Sequence, residues 1–202
     1  MSTPKSLGIR SAQMDTAVRL LTDGTFSRWT GRKVPAMTVE QASALIGNAM
    51  HETGSKNLTR SDVVEQNAGA GRGLMQYTGP RRTAYDRANP GNDIRKQLQY
   101  AAEEYAGKHD PAPGASLIGY TKSLETTPKR DVKAATTHLM DNYFRPADPN
   151  ASREERIANA MAVAKMYKEL TKPKSKPLAV KSKQTNPVLN ALKIFGSALG
   201  IR

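Results

Sequence analysis

Thr38-Val-Glu-Gln41-Ala-Ser-Ala-Leu45-Ile-Gly-Asn-Ala-Met50-His-Glu52-Thr-Gly54 is the stretch on which the rest of the chain turns. Thr38 with Gln41 three residues on is a capping box, so a helix is expected to start there and run through Met50. Ala42, Leu45, Ala49 and Glu52 recur at the offsets of one helical face, which puts an acid at the end of an apolar stripe. Gly54 supplies the stop. Partial burial among Leu45, Ala49 and Leu74 and the negative end of the helix both disfavour a charged carboxylate, which makes Glu52 a candidate proton donor. The competing reading is that Glu52 pairs with an arginine at a frayed helix end. His51 beside it reads as a solvent-side or satisfied histidine rather than a catalytic one.

Downstream lies Asn67-Ala-Gly-Ala-Gly-Arg-Gly-Leu-Met-Gln-Tyr-Thr-Gly79, followed by Pro80-Arg-Arg-Thr-Ala-Tyr85. A glutamate ending a helix, then a hydroxyl residue and a glycine, then a Gly-Leu-Met-Gln run about two dozen residues on, resembles the lytic transglycosylase and goose-type lysozyme superfamily. Within it, Gly73-Leu-Met-Gln-Tyr-Thr-Gly79 followed by Arg81-Arg82, with Ile46-Gly47-Asn48 before the glutamate, looks most like the phage tail lysozyme family. Tyr143-Phe-Arg-Pro-Ala-Asp-Pro149, and then Arg156 and Ala160, are similar to that family's closing segment. The likeness spans about residues 12 to 168. One departure is Thr53, where many transglycosylases carry serine; the hydroxyl is kept.

The resemblance implies a mainly α, lysozyme-like domain that cleaves the β-1,4 bond between N-acetylmuramic acid and N-acetylglucosamine in peptidoglycan. Glu52 would be the acid and Thr53 would orient it. Gln76 and Tyr77 would line the sugar groove through an amide and an aromatic face. Tyr143 stands where a late tyrosine of transglycosylases reaches the acid, with core packing as the other reading. Leu74 and Met75 read as core, and Arg81 and Arg82 as partners of domain carboxylates in preference to acidic wall groups. A two-carboxylate hydrolase needs a second acid, for which Asp62, Glu65 and Asp86 are nearest in sequence. The superfamily's transglycosylases act with a single glutamate, so hydrolase and transglycosylase both stay open. No cofactor and no metal are implied.

Composition narrows the classes further. The chain has 202 residues, a net charge of +13 and a pI near 10.0, which together point to a polyanionic partner. No DNA-binding motif is present, and aromatic residues make up 5%, too few for a single-strand stacking platform, so no specific nucleic-acid binding is expected. An anionic bacterial wall fits instead. There is no cysteine, and His51, His109 and His138 are too scattered for metal-ligand spacing. The first ten residues lack a signal-peptide core and no run reaches transmembrane length, so carriage in a particle, or release after membrane opening, is expected.

The organisation expected is a disordered 1–10, a catalytic domain over 11–170, a Lys/Pro linker over 171–185 and an amphipathic helix over 186–202. Helices are expected over 11–22, from 38, around 94–105, over 117–124, over 131–143 and from a Ser152/Glu155 capping box to about Leu170, with Ile157, Ala160, Met161 and Ala164 inward. A loop carries Trp29, and 55–79 forms an irregular or small β element. The terminal helix, with Val188, Leu192, Phe195 and Leu199 at successive turns, suits docking back onto its own domain or onto a neighbouring virion subunit, or contact with an anionic membrane. The expected role is a virion-borne, wall-opening enzyme acting during DNA entry; an endolysin and a non-catalytic virion protein are the alternatives.

Overall fold

In the computed structural model, the residues described are 12–31, 36–61, 63–64, 71–105, 109, 126–148, 150 and 152–171. In chain order their helices are α1 (Ala12–Thr22), α2 (Thr25–Thr30), α3 (Val39–Thr53), α4 (Gly79–Ala88), α5 (Ile94–Tyr105), α6 (Val132–Leu139), a π-helical turn (Met140–Phe144) and α7 (Arg153–Thr171). The fold is mainly α, as the sequence predicts. The expected helix over 117–124, residues 1–10, the linker and the terminal helix lie outside the described residues.

α3 is the axis of the domain. Its capping box is formed in both directions: the Gln41 N–H donates to Thr38 Oγ1 at 3.2 Å, and the Thr38 N–H donates to Gln41 Oε1 at 3.1 Å. Gly54 closes the helix at φ 60°, its N–H donating to the carbonyls of His51 and Met50. The sequence shows one apolar stripe, yet Gln41 through Met50 are all buried, because α1 covers one side while α6 and α7 cover the others. Small residues permit this. A Cβ placed on Gly47 would stand 2.5 Å from the backbone nitrogen of Ala160, so α3 and α7 meet there with no room for a methyl group.

The flanking elements follow local signals. Met14, Ala17, Val18 and Leu21 form the buried face of α1. The loop expected around Trp29 is instead the short helix α2. The Thr25 N–H donates to Asp23 Oδ1 at 2.8 Å, Arg28 bonds back to the Asp23 carbonyl and to Thr25 Oγ1, and Phe26 is buried. Pro80 opens α4, and Leu98, Ala101 and Ala102 are the inner face of α5. In α7, Ile157, Ala160 and Ala164 are buried as expected, but Met161 is 56% exposed and Val163 takes its place inside. Met161 sits about 100° around the helix from Ala160, the residue that faces α3, and so points away from it.

The expected helix over 131–143 is two pieces. Asp131 caps α6, accepting from the Ala134 N–H at 3.1 Å. The chain then widens into the π turn, closed by the Arg145 N–H donating to the carbonyl of Met140 at 2.7 Å. Between α3 and α4 the chain folds back on itself through bridges Val64–Arg72 and Arg72–Tyr77, the small β element anticipated there. Its hairpin needs Gly73 at φ 73°, since a Cβ there would meet Tyr85 Oη at 2.6 Å and Gln97 Oε1 at 2.8 Å.

Candidate active site

Asn48 and Glu52 lie one turn apart on α3, on the face turned toward α7. Asn48 is fully buried, and its amide donates to the carbonyls of Ala44 at 2.9 Å and Thr136 at 3.3 Å, which turns its oxygen toward α7. Arg156, 2% exposed, fills the space opposite. Its Nε donates to Ser152 Oγ at 2.9 Å, its Nη1 to Asn48 Oδ1 at 3.0 Å and its Nη2 to Glu52 Oε1 at 2.7 Å. The Phe144 ring lies 5.8 Å from the same guanidinium. Ser152 and Glu155, read from sequence as a capping pair, thus have other partners: Ser152 holds Arg156, and Glu155 pairs with His51 Nδ1 at 3.2 Å.

Glu52 therefore has the arginine partner that the sequence left as one alternative, but the helix end is not frayed. Its side chain keeps 19% of its surface exposed, while that of Arg156 keeps 2%. A carboxyl at the domain surface is gripped on one oxygen by a buried and fully oriented cation.

The other residues named from sequence lie elsewhere. Thr53 is buried, and its hydroxyl donates to the carbonyl of Ala49 at 2.9 Å, so it secures the helix end and does not bond to Glu52. Gln76, at φ 48°, turns its amide back to the Gly73 carbonyl at 2.7 Å, and its buried Oε1 has no hydrogen-bond partner among the described residues. Tyr77 is 1% exposed and offers no ring face to a sugar. It packs against Tyr85 at 4.7 Å and Tyr100 at 5.4 Å, and its hydroxyl meets that of Tyr143 at 3.1 Å. Tyr143 is also buried, and its hydroxyl donates to Glu104 Oε2 at 2.7 Å rather than to Glu52.

Glu104 is the residue that sequence reading missed. Arg81 binds it through Nε and Nη2, both at 2.8 Å, and donates through Nη1 to the carbonyl of Tyr143 at 3.0 Å. Burial works against the Arg81 charge, but the bonds and charge of Glu104 outweigh it and hold the guanidinium ionised. Burial, then the nearby Glu104 charge, pushes the Tyr143 hydroxyl well above its ordinary range; burial does the same to Tyr77. Both stay neutral hydrogen-bonding groups. The cluster fixes the π turn, and Phe144, which follows Tyr143, touches Arg156. Leu74 and Met75 are core, and Arg82 pairs with Asp86, as the sequence suggests.

A family model described as phage tail lysozyme matches residues 25–167, a span that holds α2 through most of α7 and every residue of this site. The chain belongs to the phage tail lysozyme family. Searches among curated proteins and among solved structures return no match. In this member of the family, Asp86 is held by Arg72 at 2.9 Å and Arg82 at 3.1 Å, while Asp62 and Glu65 lie outside the described residues. Among the described residues no group of three His, Cys, Asp or Glu side chains is placed to hold a metal ion.

Proposed function

We propose that this phage protein is a peptidoglycan-cleaving enzyme, carried in the virion, that opens the wall locally by cutting the bond between N-acetylmuramic acid and N-acetylglucosamine, with Glu52 as its general acid. One observation carries the reading: Glu52 is a partly exposed carboxyl whose Oε1 is bonded by buried Arg156, a bond that does not engage Oε2. A general acid must sit within hydrogen-bond reach of the departing oxygen in a defined orientation, and this clamp provides the orientation.

In the reaction, the Glu52 carboxyl gives its proton to the glycosidic oxygen as the bond from the muramic acid C1 to that oxygen breaks through an oxocarbenium-like state. The sugar's own 6-hydroxyl then attacks C1, and its proton returns to the Glu52 carboxylate. A 1,6-anhydro end results. This lytic transglycosylase form is favoured over hydrolysis because Asp86, a candidate second acid, is already committed to two arginines. The basic segment 171–202, with six lysines, one arginine and no acid, fits attachment to another virion component or an anionic envelope surface.

The test is a zymogram on isolated murein with wild-type protein and Glu52→Gln, followed by mass spectrometry of the muropeptides. Glu52→Gln keeps the volume and the acceptor for Arg156 but has no proton to give, so clearing is expected to fall by about 10²- to 10⁴-fold. The wild-type products are expected to carry anhydro ends. Clearing by the variant at the wild-type rate would remove Glu52 from the chemistry.

A further inference from the structure

We infer that Arg156 is the positioning residue of this site, a guanidinium whose bond to Oε1 selects Oε2 of Glu52 as the oxygen that handles the proton. The inference rests on the reading of Glu52 as the acid and adds a residue to it. The three nitrogens of the guanidinium bond in three directions, with Nε tied to Ser152 on its own chain segment, Nη1 to Asn48 across the interface and Nη2 to the acid. The Asn48 amide cannot flip without losing its bonds to the carbonyls of Ala44 and Thr136, so the anchor of Nη1 is itself fixed. Phe144 borders the guanidinium at 5.8 Å.

Backbone geometry sets the reach. α3 approaches α7 without room for a methyl group at Gly47 against Ala160, one residue before Asn48 and one turn after Arg156. That contact holds the two helices close enough for one side chain to span Asn48 and Glu52 together. A fork with fixed N–H directions can make both bonds at once, whereas an ammonium on a flexible stem offers a single nitrogen. Water does not compete for the grip, since Arg156 is 2% exposed.

The experiment compares Arg156→Lys, Ser152→Ala and Glu52→Gln on solubilised murein fragments, measuring kcat and KM separately and checking the fold by circular dichroism and melting. Arg156→Lys keeps the cation but loses the fork; its kcat is expected to fall about 10²-fold, the loss typical of a reacting group misplaced by about 1 Å, while KM changes by less than about twofold. Ser152→Ala cuts only the Nε tether and is expected to lower kcat by about three- to tenfold with melting unchanged. Folded Arg156→Lys and Ser152→Ala proteins with wild-type kcat, or with losses confined to KM, overturn the inference. Should Arg156→Lys fail to fold, Ser152→Ala decides by the same criterion. An active Glu52→Gln defeats the reading of the acid itself, whereas an inert Glu52→Gln beside a full-speed Ser152→Ala defeats positioning alone.

Discussion

Among the described residues, the arginine–glutamate pairs Arg81–Glu104 and Arg156–Glu52 look alike at first sight and differ in what is left over. At Arg81–Glu104, both carboxylate oxygens are taken, Oε1 by Nε and Oε2 by Nη2 and the Tyr143 hydroxyl, and the glutamate side chain is 4% exposed. At Arg156–Glu52 the arginine is buried at least as deeply, yet it takes one oxygen and leaves the glutamate 19% exposed. A buried carboxylate with both oxygens bonded is a structural strut, because a new partner would have to break into what holds it. A carboxylate held on one side only is fixed in place and still open to a second partner. The sequence marks both pairs by charge alone; the number of oxygens answered separates their roles.

The widest gap between the pairs is expected when each glutamate is made an amide. Both changes leave a buried guanidinium without its counter-charge, but Glu104→Gln disturbs three bonds at a closed site and is expected to cost about 3–5 kcal/mol, whereas Glu52→Gln keeps the single acceptor at a site open to water and is expected to cost less, about 1–3 kcal/mol. Urea unfolding of the two variants checks this, and equal losses would erase the distinction. A smaller effect comes from the helix interface that serves the open pair. Gly47→Ala is expected to destabilise by about 1–3 kcal/mol through overpacking against Ala160, although alanine is the better helix former by about 1 kcal/mol; a thermally stabilised variant would show that α3 and α7 have slack.

The mildest test sharpens the closed pair's surroundings through pH. Burial pushes the Tyr85 hydroxyl up from 10.0 to about 12, and it raises Tyr77, Tyr100 and Tyr143 in the same direction. For a group whose folded value is raised, the stabilisation is complete below the unfolded value and is lost as pH climbs through the folded one. Stability is therefore expected to be level in this respect up to about pH 10 and to fall from there toward pH 12. Phenolate absorbance followed beside circular dichroism should rise with unfolding; ionisation of all tyrosines well before any structural loss would contradict the burial of the cluster.

Much of the helical frame is legible in the sequence because its signals are local. Thr38 and Gln41 lie three apart, Gly54 ends what they begin, and Met14, Val18 and Leu21 repeat within one helix. The position of the proposed acid is legible, since Glu52 ends a recognisable helix, and its surroundings less so. Tyr77 points toward substrate in the sequence and Tyr143 toward either substrate or core; both lie in the core, because a tyrosine carries a wet end and a dry face and only tertiary neighbours decide between them. Thr53 stands beside the acid in sequence, while the carbonyl of Ala49, one turn back, is the nearer acceptor. Gly47 looks like a weak point in a helix until Ala160 arrives against it. Arg156 stands in the sequence beside a capping signal, and nothing local announces that it spans to α3.

The bond between Arg156 and Glu52 joins residues 104 positions apart, and Asn48 is farther still from the same arginine, at 108. Closing a loop of that length costs roughly 4 kcal/mol in chain entropy, so contacts of this kind are made late, after local helices have formed. On a ribosome, α3 and its glutamate emerge long before α7 is synthesised. The nascent chain thus carries Glu52 without its arginine for most of its synthesis, and the arrangement proposed for the chemistry is completed only when α7 docks.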